Sequence, residues 1–406
     1  MSIGNEALND LCRYAHKNTE HYRKLIQTEQ TDLGEIPLLT QETFQREEGD
    51  FLSAEYTKYP KIDGVIIKRP IGAAGRCLKL MWDNHQLAAA MLSLAAARKN
   101  YYGIRPNMKT ASFYTSQYRS NKILDVSPSK TLKNEQNILF SKVNLTKDRL
   151  QQCYEELLSF DPEILYLPPS IAGQLAELIK ESSLPLPKSL RHIELSGELL
   201  GEDSREAVKE AFKIDLTNVY ATGASGPIAV ECREHDFHIL QDNVIVEVIR
   251  DGVPVVGEEG DIYVTILKNR AMPLLRFETG DRGILMKGNC PCGNISPMLR
   301  LTHAREQDFI LLPGGEKLNS YLIKNIIEFT NEYMSNSIRQ FQVKQKDMGK
   351  FEMKLALKPA YIHWGQAVLD NFISNAGKTL LKDSEWEFDF TDDFAEDSNK
   401  YFIGVK

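Results

Sequence analysis

The sequence predicts an α/β protein: a large N-terminal layered α/β domain with a β-rich subdomain, plus a small α+β C-terminal lid domain. Three observations carry that prediction. Between "KTASFYT" and "LTNVYATG", apolar runs of strand length alternate with stretches of helical periodicity, the pattern of parallel strands layered with helices. From about Asn243 the texture turns to short β runs split by glycine turns, which suits antiparallel pairing. Past "RLTHARE" the pattern resets to a hairpin, a helix, a second hairpin and a second helix. The expected boundaries are 1–303 for the N-terminal domain, with the β-rich part at about 225–303, and 304–406 for the C-terminal one.

The elements follow in order. The first sixty residues read as amphipathic helix, and "IPLLTQETFQRE" sets Thr40 as the N-cap of a short helix. "DNHQLAAAMLSLAAARKNYYGI" is rich in alanine and leucine and predicts a buried helix ending near Gly103. "TKDRLQQCYEELLSF", capped by Thr146, "SIAGQLAELIKES" and "EDSREAVKEAFK" are helices set between the strands "EILYLPP", "LRHIELSGE" and "LTNVYATG". "NVIVEVI", "GDIYVTIL" and "PLLRFET" are the β runs of the subdomain. In the last hundred residues "FILLPGGEKLN" and "IRQFQVKQKDMGKFEMKLAL" read as hairpins, and "YLIKNIIEFTNEYM" and "WGQAVLDNFISNAGKTLL" as helices.

Bulk properties narrow the function. The 406 residues are 42% hydrophobic and 26% charged, an ordinary globular balance, and the net charge of -7 argues against a nucleic-acid surface as the main business. No apolar run nears the roughly 20 residues of a membrane helix. The mixed, polar start "MSIGNEALNDLCRYAHKN" is not an export signal, so the expected address is cytoplasmic. In a reducing compartment the six cysteines read as metal ligands or buried packing before disulfides.

Three of the cysteines group with a histidine. Cys290 and Cys292 share a turn with Pro291 and Gly293, while Cys232 and His238 lie upstream on what should be a neighbouring hairpin. Three thiolates and one imidazole complete a closed tetrahedral zinc site, whose role would be structural because no position is left for water. His235 competes with His238 for the fourth place on spacing alone.

A second group of signals points to a phosphate-bearing ligand. In "IKRPIGAAGRCLKL", Gly72 and Gly75 with Arg76 form the skeleton of a bend whose backbone amides and cation could face an anion. "IELSGELL" ends a strand in Ser196-Gly197-Glu198, "VYATGASGP" ends another after Tyr220, and "LLRFETGDRG" places Asp281 after a Thr-Gly turn at a strand end. Ligands of open α/β sheets gather beyond the strand carboxyl ends. A carboxylate such as Asp281 can accept from a ribose diol, and a ring such as Tyr220 can stack on a base.

These motifs resemble, in order and over most of the chain, the phenylacetate–CoA ligase branch of the adenylate-forming (acyl-CoA synthetase-like) superfamily. "RFETGD" carries the resemblance most specifically, with "GEEGDIYVT" before it and "AREQDFILLPGGEKL" after it; the cysteine–histidine arrangement is similar to the zinc site of that branch. The resemblance implies ATP-dependent activation of a small carboxylic acid as an acyl-AMP, then transfer to CoA or another acyl acceptor, and is compatible with a homodimer. It puts Gly72, Gly75 and Arg76 at the phosphate loop, Gly197 and Glu198 at the adenine-side turn, and Tyr220 against the base. Asp281 falls on the ribose ligand, Arg305 at the domain junction and Lys400 on the lysine that neutralises charge during adenylation.

Departures from that pattern are specific. The phosphate loop has Pro70, Ile71, Ala73 and Ala74 where hydroxyls are usual, the acidic magnesium ligand falls on Ala224, and Gln307 replaces the hinge Asp or Lys. Magnesium needs oxygen ligands, so its binding should be weakened. Two expectations therefore stand: a divergent acid-activating ligase, or a degenerate relative that binds nucleotide or acyl thioester without adenylating.

Overall fold

A computed structural model describes residues 3–26, 32–57, 64–72, 74–114, 131–142, 145–303, 309–394 and 400–405. Contacts group the chain into two compact units: Met1–Pro70, Leu78–Arg105 and Thr217–Arg305 form one, and Ile71–Cys77, Pro106–Leu216 and Glu306–Lys406 the other.

The first unit is built on an antiparallel sheet. Its strands run, from one edge, Val253–Pro254, Val244–Arg250, Glu259–Ile266, Phe277–Met286, Met298–His303, Phe237–Ile239, Gly226–Glu231 and Leu216–Thr222. Asp251 and Gly252, at φ 50° and 81°, make the two-residue turn before Val253, the left-handed pair such a hairpin requires. Helices Ile3–Asn18, Glu20–Leu25 and Gln41–Arg46 cover this sheet, with Phe44, Phe51, Trp82 and Phe277 all buried in one core. Each such ring contributes roughly 1.5–3 kcal/mol by leaving water. The Thr40 cap is as the sequence predicts, its hydroxyl accepting from the Thr43 amide.

Helix Asn84–Tyr102 ends at Gly103 as expected, but it is not buried. Only Ala90 and Leu94 are enclosed, while Leu92 is 70% exposed and Met91 42%. Ala88, Met91, Leu92, Ala95 and Ala96 form one exposed stripe at helical spacing. The sequence is apolar all round, so periodicity carried no information about which face would be covered.

The second unit contains the expected parallel layer. Strands His192–Ser196, Ile164–Leu167, Thr110–Tyr114 and Asn137–Ser141 lie side by side in parallel, and Thr131–Lys133 adds an antiparallel edge. Helices Lys147–Phe160, Pro169–Ser182 and Glu202–Phe212 connect and pack on them around Phe140, Tyr154 and Phe212. Thr146 caps the first of these helices by accepting from the Arg149 amide. A four-stranded sheet, Glu385–Phe390, Lys350–Leu357, Ile338–Asp347 and Phe402–Ile403, carries helices Tyr321–Tyr333 and Gly365–Ala376. The predicted hairpins 309–319 and 338–357 are both formed. No described helix is long and apolar enough to cross a membrane.

Candidate functional site

In the first unit, Tyr220 and Asp281 meet. The Tyr220 hydroxyl donates to Asp281 Oδ2 at 2.8 Å, and both residues are buried, 6% and 8% exposed. Asp281 does not follow a turn at a strand end, as the sequence suggested; it lies inside the ten-residue strand Phe277–Met286. The pairing with Glu259–Ile266 passes from Tyr263↔Glu278 to Asp261↔Arg282, so Thr279, Gly280 and Asp281 together oppose Ile262. Gly280 takes φ 83°, and Thr279 Oγ1 donates to the Ile262 carbonyl, closing the bulge. Gln41, from the "LLTQETF" helix, donates its Nε2 to the Thr279 carbonyl at 3.1 Å and braces the bulge from outside. "TGD" is thus a bulge that re-aims a carboxylate, a role that Gly and Thr signal in sequence as readily as they signal a turn.

The turn after Tyr220 is equally constrained. A Cβ at Gly223 would lie 2.4 Å from Pro70 Cβ, so only glycine lets "IKRP" pass this close. The Trp82 indole donates to the Ala224 carbonyl at 3.0 Å. Ala224 itself is 5% exposed and offers no oxygen from its side chain.

In the second unit the glycine bend is joined to the C-terminal sheet. Ile71 and Cys77 sit in the same core as Phe341 and Phe402. Phe341 N donates to the Gly75 carbonyl, Gln340 Nε2 to the Ala74 carbonyl, and Cys77 N to the Arg339 carbonyl. Gly75 has φ 73°, and a Cβ there would sit 1.8 Å from the Phe341 carbonyl oxygen and 3.2 Å from Tyr401 Cβ. The Gly72 and Gly75 amides donate within the bend, to Arg76 O and Gly72 O. Lys400 precedes Tyr401, is exposed, and has its carbonyl held by Gln342 Nε2. The bend and Lys400 therefore lie beside neighbouring parts of one sheet. Arg305 and Gln307 fall outside the described residues.

Gly197 takes φ 92° at the end of strand His192–Ser196 and turns the chain into Glu198. That carboxylate is held by residues the sequence did not single out. It accepts from Ser170 N (2.8 Å), Ser170 Oγ (2.9 Å) and the Tyr321 hydroxyl (2.6 Å). Asn319 in turn donates to Ser170 Oγ at 3.2 Å. Only the Ser after "LPP" at a helix start carried a local signal for this network. Glu198 lines a cleft of about 720 Å³ with Leu145, Leu150, Ser170, Gly173 and Phe309, a size that suits a small organic molecule.

The four metal-ligand candidates converge in the first unit. The ligand atoms of Cys232, His238, Cys290 and Cys292 all lie within 4.8 Å of one another. Cys232 Sγ and Cys290 Sγ are 3.6 Å apart, and Cys292 Sγ is 3.3 Å from His238 Nε2. Edges of a tetrahedron with zinc–sulfur bonds of about 2.3 Å are roughly 3.8 Å, so the cluster is of the right size. The amides of Glu234 and Asn294 each point at a sulfur two residues earlier, Cys232 and Cys292, as donors that steady a thiolate. His235, the rival ligand, is outside the cluster: it is exposed, at φ 62°, with its ring toward Glu231. Strand Phe237–Ile239 carries His238 inward instead, pairing with both Gly226–Glu231 and Met298–His303. Burial pushes the Cys290 thiol up to about 12, so thiolates here call for a cation.

No protein-family model matches the chain. Among curated proteins it is similar to the phenylacetate–coenzyme A ligase of Thermus thermophilus, 28% identical over 233 residues, covering 54% of this chain and 51% of that one. The Escherichia coli phenylacetate–coenzyme A ligase is 24% identical over 208 residues, 49% and 46% of the two chains. The chain thus spans about half the length of the curated relatives it matches. Among solved structures, 2-hydroxyisobutyryl-CoA ligase with 2-HIB-AMP and CoA superposes with TM-score 0.61 at 18% identity, over 99% of this chain and 88% of that one. An open conformation of the same ligase gives 0.58 at 16% identity, over 99% and 90%. The fold is that of the adenylate-forming acyl-CoA ligases. Within that class the chain resembles the phenylacetate–CoA ligase branch, the resemblance its motifs already carried.

Proposed function

We propose that the protein activates a small carboxylic acid with ATP. The acid's oxygen attacks the α-phosphorus, the bond to the β-phosphate oxygen breaks, and acyl-AMP and pyrophosphate form. A thiol such as that of CoA, or another acceptor, then displaces AMP. The observation that supports this most directly is the buried Tyr220–Asp281 pair, held in the "RFETGD" motif by a dedicated bulge. In this reading Asp281 binds the ribose, Tyr220 borders the base, Gly197 and Glu198 shape the adenine side, and Gly72, Gly75 and Arg76 border the phosphates. Lys400 and Arg305 supply positive charge to the transition state. The module 304–406 acts as a mobile domain against 1–303, and the cleft beside Ser170 and Glu198 receives the acid.

Cys232, His238, Cys290 and Cys292 hold one structural zinc, which when bound would tie the hairpin of Phe237–Ile239 to the turn at Cys290. Magnesium enters more weakly than in a site with an acidic ligand, since Ala224 offers none. The protein works in the cytoplasm, and two copies pair through the exposed stripe centred on Leu92. The small residues Ala88 and Ala96 stand four positions either side of that leucine, so an antiparallel second copy meets knob with hollow.

A second reading, nucleotide or acyl-thioester binding without adenylation, is favoured by Ala224 and by bend amides that are already engaged. ATP–pyrophosphate exchange across a panel of aryl and aliphatic acids separates the two. Exchange with one acid, abolished in Lys400→Ala, supports the ligase; silence with retained AMP binding supports the second reading.

A further inference from the structure

The stretch leading into the glycine bend carries two cations that no described acid answers. Lys68 ends strand Val65–Lys68, and its ammonium lies over the Trp82 ring, 5.2 Å from the centroid. Among the described residues nothing hydrogen-bonds or ion-pairs with it, and burial alone lowers its pKa, to about 8. Next to it, Arg69 has its Nε buried with no hydrogen-bond partner among the described residues. A desolvated ammonium without an anion is costly, and an arriving anion would offset that cost.

The surroundings say where that anion would sit. Trp82, beneath Lys68, donates to the Ala224 carbonyl, and Pro70, two residues on, packs on Gly223. Lys68 is therefore anchored to the turn that follows Tyr220, where the side chains of Gly223 and Ala224 bring no charge. Within the bend itself, the Gly72 and Gly75 amides donate internally and the intervening positions are alanines. The bend lacks hydroxyls, the turn after Tyr220 lacks a carboxylate at Ala224, and two cations that no described acid answers stand immediately before the bend.

We propose that Lys68, with Arg69 beside it, binds the phosphate groups of the nucleotide and takes over charge neutralisation that a divalent cation would otherwise supply. This rests on the acid-activation reading for the identity of the anion, but not for its charge. Two consequences follow. Pyrophosphate binds the free protein without magnesium, and the ammonium is what holds it. An acid substrate's carboxylate is the competing source of negative charge at the same place.

The test uses the full chain in excess EDTA, with inorganic pyrophosphate and, separately, acetate as probes in titration calorimetry. Lys68→Met keeps the apolar stem over Trp82 and removes the charge; Lys68→Arg keeps the charge. The expected result is a loss of pyrophosphate affinity of about tenfold or more in Lys68→Met, with Lys68→Arg close to the parent. Equal affinity in Lys68→Met, no pyrophosphate binding by the parent, or an effect on acetate alone would each overturn the proposal. Should Lys68→Met fail to fold, amine labelling of the parent decides: pyrophosphate must protect Lys68 and adenosine must not, and labelling unaffected by pyrophosphate overturns it. If pyrophosphate binding depends on Lys68 while exchange is silent with every acid, this site stands and the adenylation reading fails.

Discussion

The Tyr220 hydroxyl reaches Asp281 Oδ2 across 2.8 Å, from strand Leu216–Thr222 to a three-residue bulge that lies 61 positions further along the chain. If Asp281 holds a ribose diol, Asp281→Asn keeps an acceptor for Tyr220 but loses the charge. AMP affinity should fall about ten- to hundredfold with the melting curve little changed. Tyr220→Phe should act the other way round. Removing a donor from a buried carboxylate costs about 1–3 kcal/mol of stability, which urea unfolding would register. Equal stability of Tyr220→Phe and the parent would show that the pair does not hold the bulge.

Gly75 and Gly252 both take positive φ, 73° and 81°, yet their surroundings differ. Gly252 faces open space, so Gly252→Ala should cost only the left-handed strain, about 1–2 kcal/mol. Gly75→Ala drives a methyl into the Phe341 carbonyl, adding overpacking to that strain, and should cost more than about 3 kcal/mol. Chemical denaturation of both variants checks the order. A Gly75→Ala no worse than Gly252→Ala would mean that the bend does not sit against Phe341 in solution.

Three thiols and an imidazole within 4.8 Å predict one zinc per chain by elemental analysis. Chelation should expose Cys232, Cys290 and Cys292 to a thiol reagent while Cys12, Cys77 and Cys153, all buried singly, stay slow. Ligands must be deprotonated to bind, and burial raises the Cys290 thiol, so metal affinity should drop as pH falls. Cys292→Ser should lower the thermal midpoint in zinc and match the parent's chelated form. Three fast thiols in zinc-replete protein would exclude the site.

What the sequence disclosed depended on whether a signal was local. Thr40 and Thr146 were legible as caps because a cap needs only the next three residues, and Cys290 and Cys292 because their turn is four residues long. Asp281 was legible as a candidate carboxylate but not as a bulge residue: Thr-Gly serves either conformation, and only Ile262 across the sheet decides. The partners of Glu198 were invisible, since Tyr321 stands 123 positions away and nothing near either residue announces the other. The choice between His235 and His238 likewise waited for pairing on both sides of strand Phe237–Ile239.

Helix Asn84–Tyr102 is the opposite case, an apolar sequence whose stripe at Leu92 lies open. If a second copy covers that stripe, Leu92→Lys should halve the mass seen by light scattering at micromolar concentration without altering the melting curve of the monomer. A parent that is already monomeric there removes the interface.

Lys68 gives the fold a pH dependence whose sign can be worked out. With its ammonium lowered to about 8 by burial, and the unfolded lysine near 10.4, the native chain binds fewer protons than the unfolded one between those limits. Stability without ligand should therefore rise as pH climbs from about 8 to about 10.4, and the burial penalty should stay constant below that window, where both states are protonated. Lys68→Met should remove this rise. Pyrophosphate affinity should move in the opposite direction, falling once the ammonium is lost. A bound anion raises the lysine's pKa, so the fall begins with the stability rise, near the free group's value of about 8, and levels off above the bound group's. Urea unfolding across the window in parent and Lys68→Met measures the first effect, and calorimetry with pyrophosphate at the same pH values measures the second. A stability slope identical in the two proteins would mean that Lys68 is already paired in solution and has no charge to offer an incoming phosphate.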